Sequence, residues 1–119
     1  MIEAELSRQV FDAFYAVYRE LGYGYLETVY ENSLMVALSD LGLRPVQQSP
    51  LHVWFRGHLV GDFRADIVIP GRMLIEIKSA TRLVAAHDAQ LLNYLKTTGL
   101  RLGLILNFSP KPETRRRAN

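Results

Sequence analysis

Two carboxylates and a lysine lie close together in the segment from residue 64 to residue 78, where Pro70-Gly71-Arg72 separates two apolar runs. If those three residues form the loop of a β-hairpin, Asp66 faces Glu76 across the two strands. Because side chains alternate along a strand, Asp66, Glu76 and Lys78 then share one face, and the isoleucines between them share the other. We therefore predict a hairpin with one acidic and one apolar face.

Opposed carboxylates repel each other, which costs roughly 0.2–1 kcal/mol on an exposed sheet and more in a buried one. A divalent cation would remove this repulsion, because proteins hold Mg²⁺ with one or two carboxylates together with waters and phosphates. Lys78, two residues after Glu76, would add a positive charge that orients a water or neutralises an oxyanion. The alternative is a set of solvated charges on an edge hairpin, but the apolar neighbours favour a buried, functional cluster.

A polar stripe lies on the helix predicted before the last strand. Gln90 and Tyr94 are four residues apart, so they share one helix face. They could contact a phosphate, a sugar or a catalytic lysine, or they could form the polar edge of a half-buried helix. On spacing alone the polar edge of a helix is the favoured interpretation.

Another acid stands near the start of the second predicted helix. Glu27 lies in its first turn, where the helix dipole stabilises a negative charge by about 0.3–1 kcal/mol. Tyr30 shares its face, three residues on. Glu31 is equally acidic and lies one step further round the helix, so spacing does not select Glu27.

The elements that must position these residues follow from hydrophobic periodicity. Apolar residues recur three or four positions apart in three stretches, which predicts helices from Glu3 to Leu21, Leu26 to Leu41 and Leu83 to Thr98. Extended patterns predict strands from Val46 to a turn at Gly57-His58, from Leu59 to Ile69, from Met73 to Lys78 and from Arg101 to Phe108.

The order helix, helix, three strands, helix, strand predicts an α/β fold with a mixed β-sheet flanked by α-helices. The helix between the third and last strands is typical of a crossover joining parallel strands. We expect one domain over residues 1–109 and a polar, basic C-terminal tail over residues 110–119, frayed from Lys111 to Asn119.

Composition limits the function classes. The 119 residues are 49% hydrophobic and 22% charged, as expected of a globular domain, and carry a formal net charge of +2. The absence of cysteine excludes disulfides, thiolate metal sites and cysteine nucleophiles. No apolar run approaches the roughly 20 residues of a membrane span. The first residues are acidic rather than basic, unlike a signal peptide, so we expect a cytoplasmic location.

The segment from Gly24 to Tyr30 resembles the name-giving motif of the GxxExxY proteins. The resemblance continues through Asp66, Glu76-Ile77-Lys78, Gln90 to Tyr94 and Gly103 to Phe108. That family is placed in the PD-(D/E)XK nuclease superfamily, so the resemblance implies a restriction-endonuclease-like core. Ala65 stands before Asp66 where the superfamily name has proline.

Residue by residue, the resemblance implies that Asp66 and Glu76 bind a metal and that Lys78 is the catalytic lysine. Glu27 is then an additional acid and metal ligand, and Gln90, Tyr94 and Tyr30 support the site. The implied reaction is hydrolysis of phosphodiester bonds in DNA or RNA with Mg²⁺ (or Mn²⁺). The alternative is a non-catalytic, nuclease-like module that binds nucleic acid or a protein partner.

Candidates for contacts with nucleic acid are few. Arg115-Arg116-Arg117 and scattered arginines could contact phosphates, although a net charge of +2 is a weak electrostatic signature. No recognition module is evident, so a homodimer or a protein partner would supply selectivity. Six aromatic residues could contribute to an interface, although we expect most of them in the core: Tyr15, Tyr18, Tyr23, Tyr25, Trp54 and Phe55.

Overall fold

The computed structural model describes residues 2–119. Within them the chain forms three α-helices and five strands: α1 (Ala4–Leu21), α2 (Glu27–Asp40), β1 (Val46–Phe55), β2 (His58–Ile69), β3 (Met73–Lys78), α3 (Ala85–Thr98), β4 (Leu102–Asn107) and β5 (Glu113–Ala118). No helix of this part of the chain is long and apolar enough to cross a membrane.

The strands form one sheet in the order β1-β2-β3-β4-β5. β3 and β4 run parallel and are joined through α3, whereas the other neighbouring strands within residues 2–119 pair antiparallel. The predicted mixed sheet flanked by helices, with a helical crossover between parallel strands, is therefore confirmed.

Apolar side chains cover both faces of the sheet. On one face α1 and α2 pack through residues such as Phe14 and Leu34 against Ile67, Ile75 and Ile77. On the other face α3 packs through Leu91 and Leu95 against a second set that includes Leu51, Val68, Leu74 and Ile105. All six residues of β4 are buried, as the continuous apolar run predicts. β3 and β4 therefore lie at the centre of three layers.

A glycine lets α3 lie close to the sheet. A Cβ atom placed on Gly103 would stand 2.6 Å from a methyl group of Leu91. A larger residue in this position of β4 would force the Leu91 side chain or α3 itself to shift. Close packing of α3 therefore sets the position of Gln90 and Tyr94 relative to the sheet.

The turn between β2 and β3 sets the register of the hairpin. Pro70 and Gly71 occupy its centre, Gly71 has a φ of 73°, and the Arg72 N–H donates to the Ile69 carbonyl at 2.9 Å. Ile69 pairs with Met73, as a three-residue loop requires. The predicted register is confirmed.

The C-terminal segment differs from the sequence-based expectation. The prediction of a frayed tail is wrong for Glu113–Ala118, which forms β5 and pairs antiparallel with β4. Its side chains also have partners: Arg117 contacts Asp88 at 2.9 Å, and Arg116 donates to Ser7 and to the Ile2 carbonyl. Backbone pairing and ion pairs stabilise this strand, rather than burial of apolar side chains. Its sequence therefore lacks the alternating apolar pattern that predicts a strand.

Candidate functional site

Asp66 and Glu76 lie next to each other, one step beyond the paired residues Ile67 and Ile75. The Asp66 N–H donates to Glu76 Oε2 at 2.8 Å, and the Ile77 N–H donates to Asp66 Oδ2 at 2.7 Å. Each carboxylate is thus oriented by a backbone N–H of the opposite strand. The hairpin backbone therefore fixes the two acidic groups side by side.

The Glu76 side chain is buried, with only 4% of the residue exposed. Burial, together with the negative charge of Asp66, raises the pKa of Glu76 to about 8, although the Asp66 N–H and Lys78 act in the opposite direction. At neutral pH the metal-free fold therefore favours a protonated Glu76. A bound cation would reverse that preference.

Lys78 and α3 form the adjoining part of the site. Lys78 Nζ donates to Gln90 Oε1 at 3.0 Å, and Gln90 Nε2 donates to Tyr94 Oη at 3.4 Å. Burial raises the pKa of Tyr94, and so do the negative charges of Glu76 and Asp66. The structure thus brings Lys78, Gln90 and Tyr94 together beside the two carboxylates.

The two acids of α2 occupy different environments. Glu27 is exposed at the first residue of the helix, and its Oε2 accepts from the Ser79 N–H at 3.3 Å. Glu31 is buried, and burial raises its pKa, with a further contribution from the charge of Asp66. Glu27 therefore lies beside the end of β3, while Glu31 lies on the Asp66 side of the site.

Sequence reasoning missed a polar cluster that β1 contributes. Gln48 Nε2 donates to Glu31 Oε1 at 2.8 Å and approaches Asp66 Oδ1 at 3.4 Å, while Gln47 Nε2 donates to Glu31 Oε2. Gln48 has a φ of 53°, a left-handed conformation that is strained for this residue type. The four-residue spacing between Glu27 and Glu31 could have indicated Glu31, but nothing in the sequence marks the two glutamines.

Tyr30 lies in the core rather than beside the carboxylates. Its ring stacks on Phe108 at a centroid distance of 4.1 Å. Its hydroxyl donates to the Gly22 carbonyl at 2.7 Å and accepts from the Tyr25 N–H at 3.2 Å. Tyr30 therefore orders the loop from which α2 begins, and any effect on the site passes through the position of Glu27.

The donor set suits a hard divalent cation. Among residues 2–119, no three His, Asp or Glu side chains are already grouped as a complete metal site. Asp66 and Glu76 nevertheless place two carboxylates next to each other, and that of Glu76 is buried. Mg²⁺ commonly binds one or two carboxylates and completes its coordination shell with waters and phosphate oxygens. The residues present therefore fit such an ion.

Comparisons with known proteins agree with this fold. The family model of a PD-(D/E)XK nuclease superfamily member matches residues 4–117, whereas no curated protein matches the sequence. Among solved structures, the crystal structure of SSO0001 is 17% identical with a TM-score of 0.59 and covers 77% of this chain and 49% of that one. This chain thus spans about half the length of SSO0001, and at this identity the likeness shows the fold alone. With the family match extending over nearly all of its length, the chain belongs to the PD-(D/E)XK nuclease superfamily.

Proposed function

We propose that this protein is a Mg²⁺-dependent (or Mn²⁺-dependent) nuclease that hydrolyses phosphodiester bonds in DNA or RNA. The observation that carries the proposal is the pair Asp66 and Glu76, held side by side through backbone N–H groups with Lys78 on the same face of the hairpin. Such a pair destabilises the metal-free fold, because Glu76 is buried beside another acid. A purely structural role does not account for it.

The acids have the chemistry to hold the ion. Asp66 and Glu76 would bind it, with Glu27 as the third acid that the GxxExxY motif implies. When bound, Mg²⁺ supplies Lewis-acid stabilisation of the charge that develops on phosphoryl oxygens. Glu27 accepts only one backbone N–H among the described residues, whereas both oxygens of Glu31 accept from glutamines. This difference supports Glu27 as the more available ligand.

Lys78 would act directly on the reacting phosphate. Its ammonium group carries three donors, and Gln90 engages one of them at 3.0 Å. The remaining donors can orient the attacking water or neutralise a phosphoryl oxygen. Gln90, in contact with Tyr94, holds the ammonium group in place. Gln90 and Tyr94 are therefore proposed as positioning residues.

A panel of single-stranded and double-stranded DNA and RNA, incubated with Mg²⁺ or Mn²⁺, tests the proposal. We expect cleavage that is lost with EDTA and in Lys78→Met, but kept in Lys111→Met, which alters an exposed lysine outside the site. Folded protein that cleaves nothing in the panel would contradict the proposal and favour the non-catalytic module. Equal cleavage by Lys78→Met and the unmodified protein would contradict the role of Lys78. A homodimer or protein partner that supplies selectivity stays a prediction.

A further inference from the structure

A groove of about 850 Å³ lies between the β1–β2 ribbon and α3. Its lining includes three aromatic residues and several polar ones: His52, Trp54, Phe63, Gln90, Tyr94 and Lys96. The volume is within the range of pockets that bind small organic groups. The groove is therefore large enough to hold the flat ring systems of a ligand.

Aromatic rings stand on both walls of this groove and are open to solvent. Trp54 is 60% exposed and Phe63 is 47% exposed. The Phe63 and Tyr94 rings lie 6.0 Å apart across the junction of β2 and α3, and the Trp54 and His52 rings lie 6.4 Å apart on β1.

Of the six aromatic residues expected mostly in the core, five are exposed, so that expectation is wrong. Trp54 is the one of them that lines the groove.

The groove is continuous with the candidate site. Gln90 lines the groove and also accepts from Lys78, and Tyr94 lines it while accepting from Gln90. A ligand in the groove would thus extend directly from the site where phosphate chemistry is proposed.

The three consecutive arginines near the C-terminus contribute little to recognition of a duplex backbone. Arg115 lies between Asp88 and Glu113, and Arg117 also pairs with Asp88, so the arginine run is engaged within the fold. Lys96 gives the groove a cation for a phosphate. Base faces in a duplex are covered by neighbouring bases, whereas unpaired bases can stack on aromatic side chains.

We propose that this groove binds unpaired bases of a single-stranded nucleic acid whose adjacent phosphodiester lies at Asp66 and Glu76. The inference rests on the proposed nuclease function and assigns its substrate class. Trp54 and Phe63 provide the stacking surfaces, and Lys96 contacts the backbone of the strand. Base stacking on an aromatic side chain is worth about 1–3 kcal/mol per base, or roughly a 5- to 150-fold change in affinity.

Trp54 is the sole tryptophan of the chain, so its fluorescence reports directly on the groove. The full chain is titrated in EDTA, where no cleavage occurs, with oligothymidylate and oligouridylate of about 12 nucleotides and with a duplex of the same length. We expect single strands to quench Trp54 and to bind at least about tenfold more tightly than the duplex. The DNA and RNA arms identify which polymer binds better. Duplex binding of equal strength, or single-strand binding without a change in Trp54 emission, would overturn the inference.

Variants test the rings individually through polarisation of a labelled oligonucleotide. Trp54→Ala and Phe63→Ala should each weaken single-strand binding about tenfold. The matched control is Phe55→Ala, which removes a neighbouring aromatic side chain that is 58% exposed but does not line the groove. Equal losses in Phe55→Ala would overturn the assignment. A dimer that Trp54→Ala converts to a monomer would also overturn it, since the groove would then be an interface between copies.

These outcomes separate the inference from the proposed function. Cleavage of duplexes without any single-strand binding overturns the groove assignment and keeps the nuclease. Trp54-dependent binding of single strands without cleavage of any substrate keeps the groove and contradicts the nuclease. Melting temperatures of the variants verify that each is folded, and both ring substitutions replace exposed or partly exposed side chains.

Discussion

On one face of the β2–β3 hairpin, Ile67, Ile75 and Ile77 are at most 1% exposed and pack against α1 and α2. On the other face, Asp66 and Glu76 lie side by side and leave a buried carboxyl with a pKa raised to about 8. Neighbouring residues of the same strand thus lie in opposite environments, an apolar core on one face and an acidic cluster on the other.

The comparison indicates where stability and chemistry reside in this fold. The apolar face buries hydrocarbon and stabilises the sheet. On the acidic face, the fold holds two carboxyl groups together although burial and mutual repulsion disfavour their charged forms. Such an arrangement is typical of functional sites. Substitutions on the two faces should therefore have opposite effects on stability and activity.

Glu76→Gln should separate the two properties most strongly. Loss of one of the two central carboxylates should lower cleavage by about 10³-fold or more, equivalent to roughly 4 kcal/mol. The free energy of unfolding in EDTA should rise, because a neutral amide replaces a buried acid. Cleavage rates and urea unfolding measure the two effects, with Glu20→Gln as the exposed-residue control. A large loss of stability would identify Glu76 as a structural residue.

Ile75→Ala should show the reverse pattern. Ile75 is fully buried, and truncation of such a side chain costs about 2–5 kcal/mol through lost burial and a residual cavity. Val60→Ala, at a position that is 60% exposed, should change the free energy of unfolding by less than about 0.5 kcal/mol. Urea unfolding of both variants measures the difference. Similar values at the two positions would contradict the assignment of stability to the apolar face.

The pH dependence of stability tests the electrostatics of the acidic face. In the metal-free protein the folded state keeps the Glu76 proton up to a pH of about 8, whereas the unfolded chain releases it near 4.5. The unfolded state therefore binds fewer protons between these values, and stability should fall as the pH rises from 5 to 8, by a few kcal/mol at about 1.4 kcal/mol per pKa unit. Urea unfolding at several pH values in EDTA measures the slope. Glu76→Gln should flatten it; an equal slope in the variant would assign the titration to other groups.

Substitutions in α2 should sharpen the choice between its two acids. Glu27→Gln should lower cleavage by about 10- to 100-fold while lowering the free energy of unfolding by no more than about 1 kcal/mol, because Glu27 is exposed and loses mainly its interaction with the helix dipole. Glu31→Gln should affect cleavage less, since glutamine amides already engage both of its oxygens. Steady-state cleavage rates of the two variants show which acid contributes more to catalysis. The opposite ranking would make Glu31 the third acid.

The hairpin and its two faces could be predicted from the sequence because both signals are local. Pro70-Gly71 specifies the turn, and strict alternation assigns the isoleucines and the acids to opposite faces. β5 could not be predicted in this way, since its partner is the open edge of β4 and its side chains carry charge rather than hydrophobicity.

The surroundings of the site depend on contacts between distant segments. Gln48 reaches Glu31 and Asp66 only because β1 returns alongside β2. Trp54 and Phe63 are exposed because the parts of β1 and β2 that carry them lie outside the core. Residue type alone would instead favour their burial. Local patterns therefore revealed the acids and the lysine but not the glutamines and the groove.

Calorimetric titration of the purified protein with Mn²⁺ and with Mg²⁺, compared with Glu76→Gln, tests the central claim most directly. We predict that the unmodified protein binds one divalent ion and releases a proton on binding at a pH below about 8. Glu76→Gln should not bind the ion. Absence of binding to the unmodified protein, or binding of equal strength in Glu76→Gln, would contradict the account of Asp66 and Glu76 as a metal site.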